Sequence, residues 1–239
     1  GAHQIVLDLE DAVAPDAKAP ARDAAAGWLE KGARALVRTT AADTAWYESD
    51  LAMLQVCRNA GVMLPKAERH SLAHTAAALS GRPVVALLET VAGYLDLSGL
   101  CAVQGLSRIA FGSVDFGLES GIADEGEAMT SVRVQIVLQS KLAGLQAPVD
   151  GVSVNFSDTD RMGQDALRSR QLGFGGKLCI HPAQVAPVNL TFEPTAQERE
   201  WALRVIAAFD ASAGAATALD GKMIDRPVVE RARRVLAVA

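Results

Sequence analysis

Cysteine is scarce, basic runs are missing and no long apolar stretch exists; each absence removes a class of function. The 239 residues hold three cysteines, Cys57, Cys101 and Cys179. An odd number at distant positions builds neither a disulfide framework nor a zinc site, so they read as buried thiols of a cytoplasmic protein. Lys and Arg number 23 against 28 Asp and Glu, a net charge of −5. Without a basic patch, nucleic acid is not an expected partner. No apolar run reaches about 18 residues, so no membrane span is expected, and no secretory signal pattern is present. Aromatics make up 5% and hydrophobic residues 50%. That balance describes a chain with one large aliphatic core, of a length common for a single α/β domain.

What is present are short apolar runs that end in carboxylates. Pro83-Val-Val-Ala-Leu-Leu-Glu89-Thr90 is one, and Ser107-Arg-Ile-Ala-Phe-Gly-Ser-Val-Asp115 is the next. Both read as strands buried on both faces, as in a parallel sheet covered by helices. Strand ends of this kind are where parallel α/β folds build their sites. Two carboxylates on successive strands can share one hard divalent cation, and Mg2+ is the expected one.

Strand and helix alternate along the chain. The first visible strand, Gln4-Ile-Val-Leu-Asp8-Leu-Glu10-Asp11, leads to a helix from Pro15, with Asp16 as N-cap and Ala21, Ala24, Ala25 and Trp28 inward. Further helices are expected over 43–58, 71–79, 90–100, 128–143, 158–172 and 198–211. In the helix over 128–143 the inward positions are Val132, Ile136, Leu138 or Gln139, and Leu142. Strands lie near residues 5, 36, 62, 85, 109, 150 and 178, the last two read as 148–154 and 176–182. A polar stretch over 117–126 is long enough to cover a site. The alternation predicts a parallel sheet. Seven units are one short of a closed (β/α)8 TIM barrel, and an open doubly wound sheet is the rival arrangement. The expected domains are a barrel over 1–211 and a C-terminal helical lid segment over 212–239, beyond the small residues Ser212 to Thr217.

Six motifs occur in register: Val6-Leu-Asp-Leu-Glu-Asp-Ala-Val13, Leu64-Pro-Lys-Ala-Glu68, Leu88-Glu-Thr90, Phe111-Gly-Ser-Val-Asp115, Gly176-Lys-Leu-Cys-Ile-His-Pro182 and Leu219-Asp-Gly-Lys-Met-Ile-Asp-Arg-Pro227. Together they resemble the citrate lyase beta-subunit-like proteins of the HpcH/HpaI aldolase superfamily, which include malyl-CoA and citramalyl-CoA lyases. The resemblance covers the whole chain. It implies a (β/α)8 barrel with a C-terminal lid, assembled as a homotrimer or hexamer with the lid packing on an adjacent subunit. Family members open with a further strand followed by a substrate-binding Arg. That first strand is absent from this sequence, so the true N-terminus is expected upstream.

The resemblance implies that Glu89 and Asp115 hold Mg2+. It implies that Arg38, at the end of its strand, holds the thioester oxygen or a substrate carboxylate; a barrel-end salt bridge is the plain alternative. Glu10 shares a strand face with Asp8; it is read as binding metal-bound water or orienting Arg38. Lys66 neutralises the acidic cluster or supports Glu10, or forms a structural ion pair. Asp225 matches the lid aspartate that serves as catalytic acid/base in the adjacent subunit's site; by sequence alone it is a helix N-cap. His181 reads as structural.

Three look-alikes are set aside. Asp115-Phe-Gly117 lacks the other kinase motifs, Gly173-Phe-Gly-Gly-Lys177 has the wrong spacing for a phosphate loop, and His70 and His74 lack an accompanying Glu. The implied activity is a Mg2+-dependent carbon–carbon lyase. Its substrate is a carboxylated 3-hydroxyacyl-CoA thioester such as malyl-, citramalyl- or citryl-CoA. The alternatives are the beta subunit of a citrate lyase complex, acting on a citryl-acyl carrier protein, and a non-catalytic acyl-CoA-binding subunit.

Overall fold

The computed structural model describes residues 1–237. Contacts divide the chain into two compact units, Gly1–Val188 and Asn189–Ala239.

In the first unit seven strands form one sheet: β1 (Val6–Asp8), β2 (Ala35–Arg38), β3 (Ala60–Leu64), β4 (Val84–Leu88), β5 (Leu106–Phe111), β6 (Val149–Asp150) and β7 (Gly176–Lys177). Their order in the sheet is their order in the chain, and every pairing is parallel. A doubly wound sheet would reverse its order at a switch point, so the rival arrangement is excluded. The helices between strands are α1 (Lys18–Glu30), α2 (Tyr47–Val56), α3 (Arg69–Ala78), α4 (Val91–Leu95), α5 (Leu97–Cys101), α6 (Ser113–Ser120), α7 (Thr130–Leu142) and α8 (Thr159–Leu172).

The sheet is curled, and its two faces bury different things. Leu36, Met63, Val85, Leu87 and Ala110 form one cluster, joined by Val6, Val149 and Leu178. Each of the first six strands contributes to it, and Leu178 directly follows β7, so these side chains converge on a shared axis as in a barrel interior. The alternate residues, among them Val37, Val62, Leu64, Val84, Ala86, Leu88, Ile109 and Phe111, pack with the helices in a larger cluster. The fold is therefore an α/β barrel of seven strands, with β1 and β7 each paired on one side only.

Several local expectations shift. Pro15-Asp16 lies in a 3₁₀ turn, Pro15–Ala17, so α1 starts after it and Asp16 caps nothing. The buried residues of α1 are Lys18, Ala25 and Leu29, whereas Ala24 and Trp28, expected inward, are exposed. Leu138 and Leu142 of α7 also face outward, and Arg133 and Ser140 take the buried positions expected for leucine. The region 90–100 breaks into two short helices, the first capped by Thr90 Oγ1 accepting from the Gly93 N–H. The strands expected over 148–154 and 176–182 shorten to β6 and β7.

The second unit contains α10 (Ala196–Ala211), after α9 (Val185–Phe192), a helix that was not expected. It continues with an antiparallel hairpin, β8 (Thr217–Leu219) and β9 (Lys222–Ile224), and with α11 (Arg226–Ala237). Ala202 and Val205 of α10 pack with Ile224, Val229 and Ala232. That shared core is why α10, expected with the barrel over 1–211, groups with the C-terminal segment instead.

Candidate functional site

The carboxylates and cations singled out in the sequence collect where five consecutive parallel strands end. Glu10 follows β1, Arg38 ends β2, Lys66 follows β3, Glu89 follows β4, and Asp115 follows β5. Period-two alternation puts Asp8 on the face of Val6, Arg38 on that of Leu36 and Glu89 on that of Leu87. Those three apolar residues belong to the inner cluster, so the charged groups rim the barrel mouth.

Arg38 is clamped. Its Nε and Nη2 donate to the two oxygens of Asp8 at 2.7 and 2.5 Å, a bidentate pair between side chains whose Cα atoms are in register. Nη1 faces Glu10 Oε2 at 3.1 Å, with Asp11 at 3.8 Å. Burial works against the guanidinium charge, but the Asp8 bond and the charges of Asp8, Glu10 and Asp11 outweigh it and raise its pKa.

Glu10 is 5% exposed. Its Oε1 accepts from Lys66 Nζ at 2.7 Å, while Oε2 lies in the buried interior without a hydrogen bond. Burial pushes its carboxyl up, against the pull of Lys66 and Arg38. Lys18, a buried lysine of α1, donates to the Leu9 and Glu10 carbonyls at 2.8 and 2.6 Å and so pins the loop that carries Glu10.

Glu89 is 2% exposed. Oε1 accepts the Lys66 backbone N–H at 2.7 Å. Burial, together with the negative charges of Glu10 and Asp115, pushes its carboxyl up to about 7. Gly112 packs against it: a Cβ there would lie 2.5 Å from Glu89 Cβ and from Oε2. Asp115 is half-buried and sits in the first turn of α6, not at the strand end as expected. The strand stops at Phe111, and Gly112 turns the chain into the helix. The helix N-terminus favours a carboxylate there.

Among the described residues no three acidic, His or Cys side chains come together as a metal-binding group. Glu89 and Asp115 are near enough for the charge of Asp115 to act on Glu89, and such a pair is a sparse donor set. It suits Mg2+, a hard ion that takes one or two carboxylates and keeps the rest of its octahedron for water and substrate. A buried carboxylate raised by a like charge is also one that a cation would relieve.

Asp225 belongs to the second unit, at the start of α11, where its Oδ1 accepts the Val228 N–H at 3.3 Å. His181 Nδ1 accepts the Ala183 N–H and its ring stacks on Phe156 at 4.6 Å. Sequence reading missed the Arg38–Asp8 clamp, though Asp8 stood on the same face as Glu10. It also missed Lys18 and Gly112; a lysine and a glycine in these positions carry no periodic signal.

The family model of the HpcH/HpaI aldolase/citrate lyase family matches residues 1–182. A (3S)-malyl-CoA thioesterase of Cereibacter sphaeroides is 34% identical over 248 residues, covering 100% of this chain and 87% of that protein. A citrate lyase subunit beta-like protein of Mycobacterium tuberculosis is 33% identical, covering 97% of this chain and 86% of that one. Among solved structures, protein CitE from M. tuberculosis, in complex with magnesium, acetoacetate and coenzyme A, superposes with a TM-score of 0.84 at 30% identity. That match covers 99% of this chain and 89% of CitE. Sequence and fold agree over almost the whole length of these relatives: the chain belongs to the HpcH/HpaI aldolase/citrate lyase family.

Proposed function

We propose that this protein is a Mg2+-dependent carbon–carbon lyase that cleaves a carboxylated 3-hydroxyacyl-CoA into an acyl-CoA and a 2-oxo acid, or forms it by the reverse Claisen-type condensation. The observation that carries the reading is the buried Glu89, raised by burial and by the charges of Glu10 and Asp115, on the same row of strand ends as an Arg38 held by Asp8. Relatives named for malyl-CoA and citrate lyase, and a neighbour holding magnesium and coenzyme A, support it.

Glu89 and Asp115 would hold the cation. When bound, Mg2+ supplies Lewis-acid polarisation of the carbonyl and carboxylate oxygens of the 2-oxo acid. Arg38, immobilised by Asp8, presents its remaining N–H groups to the thioester oxygen, where charge develops as the bond beside the carbinol carbon breaks. The electron pair passes to the thioester α-carbon, the hydroxyl proton leaves, and a proton returns to that carbon. Asp225 is the acid/base in this reading, supplied by the second unit of an adjacent subunit in a homotrimer or hexamer. Exclusion of water there protects the enolate.

Incubation of the purified protein and Mg2+ with malyl-, citramalyl-, citryl- and 3-hydroxy-3-methylglutaryl-CoA tests this. Release of a 2-oxo acid and an acyl-CoA from one of the first three supports the lyase. Free CoA and intact malate from malyl-CoA would replace it with thioester hydrolysis, a reading favoured by the name of the Cereibacter relative. Turnover only of a citryl-acyl carrier protein would place the chain in a citrate lyase complex.

Gly112→Ala is expected to lower Mg2+ affinity and kcat/KM by about 10²-fold and to lower the melting temperature as well. The methyl group would lie 2.5 Å from Glu89 Cβ, which is fixed to the backbone, so the end of β4 must shift with Glu89, and misplacement of about 1 Å costs rate on that scale. Isothermal titration with Mg2+ and a melting curve check it together.

A further inference from the structure

Lys66 is one of three non-glycine residues whose backbone takes a positive φ among the described residues, here 45°. A side-chain-bearing residue resists this left-handed conformation, and such strain persists only where the surroundings enforce it. At Lys66 the strain has a visible consequence. The turned peptide aims the Lys66 N–H at Glu89 Oε1, 2.7 Å away. The side chain runs to Glu10, whose Oε1 accepts from Nζ at 2.7 Å. One residue thus donates to two buried carboxylates on different strands, with its backbone on one side and its ammonium on the other.

We propose that Lys66 is a positioning residue in which the Nζ–Glu10 bond holds the left-handed backbone that orients Glu89. This rests on the reading of Glu89 as a metal ligand and adds a cause for its placement. The side chain of Lys66 is 44% exposed and that of Glu10 7% exposed, so the ammonium reaches down from the mouth onto a fixed acceptor. Glu10 is itself fixed: Lys18 holds its carbonyl, and Arg38 faces its other oxygen. The arrangement passes the rigidity of β1 and β2 to the ligand beyond β4.

Two substitutions separate the tether from the backbone conformation. Lys66→Ala keeps the strain and removes the tether, so the peptide is expected to relax and release Glu89. Lys66→Gly removes both, since glycine takes positive φ freely, and Glu89 keeps its donor. Mg2+ affinity by isothermal titration is expected to fall about tenfold in the Ala variant, the scale of the left-handed penalty, and to stay within about twofold of the parent in the Gly variant. Exchange of the residue 66 amide proton, read by NMR in the metal-free protein, is expected to accelerate about tenfold in the Ala variant alone. Equal affinity and equal amide protection in the two variants would overturn the inference. A parent protein that binds no Mg2+ but shows the exchange pattern would overturn the metal reading and leave the positioning role standing.

Discussion

Glu89→Gln is expected to remove Mg2+ binding and to lower kcat/KM by about 10³-fold, with the fold intact. The substitution keeps the shape of the side chain and an oxygen to accept the Lys66 N–H, but removes the charge that a cation needs. A bound Mg2+ supplies several kcal/mol of charge stabilisation in a reaction of this kind, and about 4 kcal/mol corresponds to three decades of rate. The same variant reports on burial. In the metal-free protein Glu89 titrates near 7, above its ordinary value near 4.5. Between those values the folded chain keeps a proton that the unfolded chain has lost, so stability falls as pH rises through the window. The loss is complete above about 7 and absent below about 4.5. The melting temperature of the parent in EDTA should therefore drop, relative to Glu89→Gln, from pH 5 to pH 7 and then hold its distance. Mg2+ should close the gap, because the cation favours the ionised form, and its affinity for the parent should weaken as pH falls below about 7. Unchanged Mg2+ binding in Glu89→Gln would remove the basis of the proposed mechanism.

Asp150→Ala is expected to destabilise the first unit by about 3–5 kcal/mol, the cost of breaking one side of a buried ion pair. Asp150 is 0% and Arg133 2% exposed. Asp150 accepts Arg133 Nε at 2.9 Å, Ser169 Oγ at 2.5 Å and the Gly151 N–H at 2.8 Å. Arg133 Nη2 also reaches Asp124, at 2.7 Å, in the loop before α7. Lys177 stands close by; burial pulls its amine down, and the Asp150 charge works against that pull. Without Asp150, two buried cations face each other with less compensation. At about 2–4 °C per kcal/mol for a domain of this size, the melting temperature should fall by about 10 °C. The double variant Arg133→Met with Asp150→Leu should recover most of it, since paired apolar replacement of a buried ion pair is often neutral. A single-variant loss below about 1 kcal/mol in urea unfolding would show that water reaches the pair.

Much of this was legible in the chain because the relevant signals are local. The runs around residues 36, 62, 85 and 109 are apolar on both faces and became β2 to β5. A glycine follows Asp150 directly and β6 stops there, whereas β7 stops at Lys177 although Leu178, Cys179 and Ile180 follow it. The leucines of α7 misled for a different reason. Leu138 and Leu142 are 55% and 83% exposed, and their buried neighbours on the helix include Arg133, which only the placement of Asp150 on β6 makes favourable, and Ser140, whose buried hydroxyl has no hydrogen-bond partner.

By itself the sequence determined the parallel α/β class, the alternation of elements and the row of charged residues at strand ends, because periodicity and turn chemistry act between near neighbours. Only the tertiary structure decided that the sheet curls so that its strands share one interior, that Asp8 rather than a substrate occupies one edge of Arg38, and that Lys66 serves two carboxylates. Those outcomes depend on contacts between residues tens of positions apart, whose energies come from burial and register that no local pattern encodes.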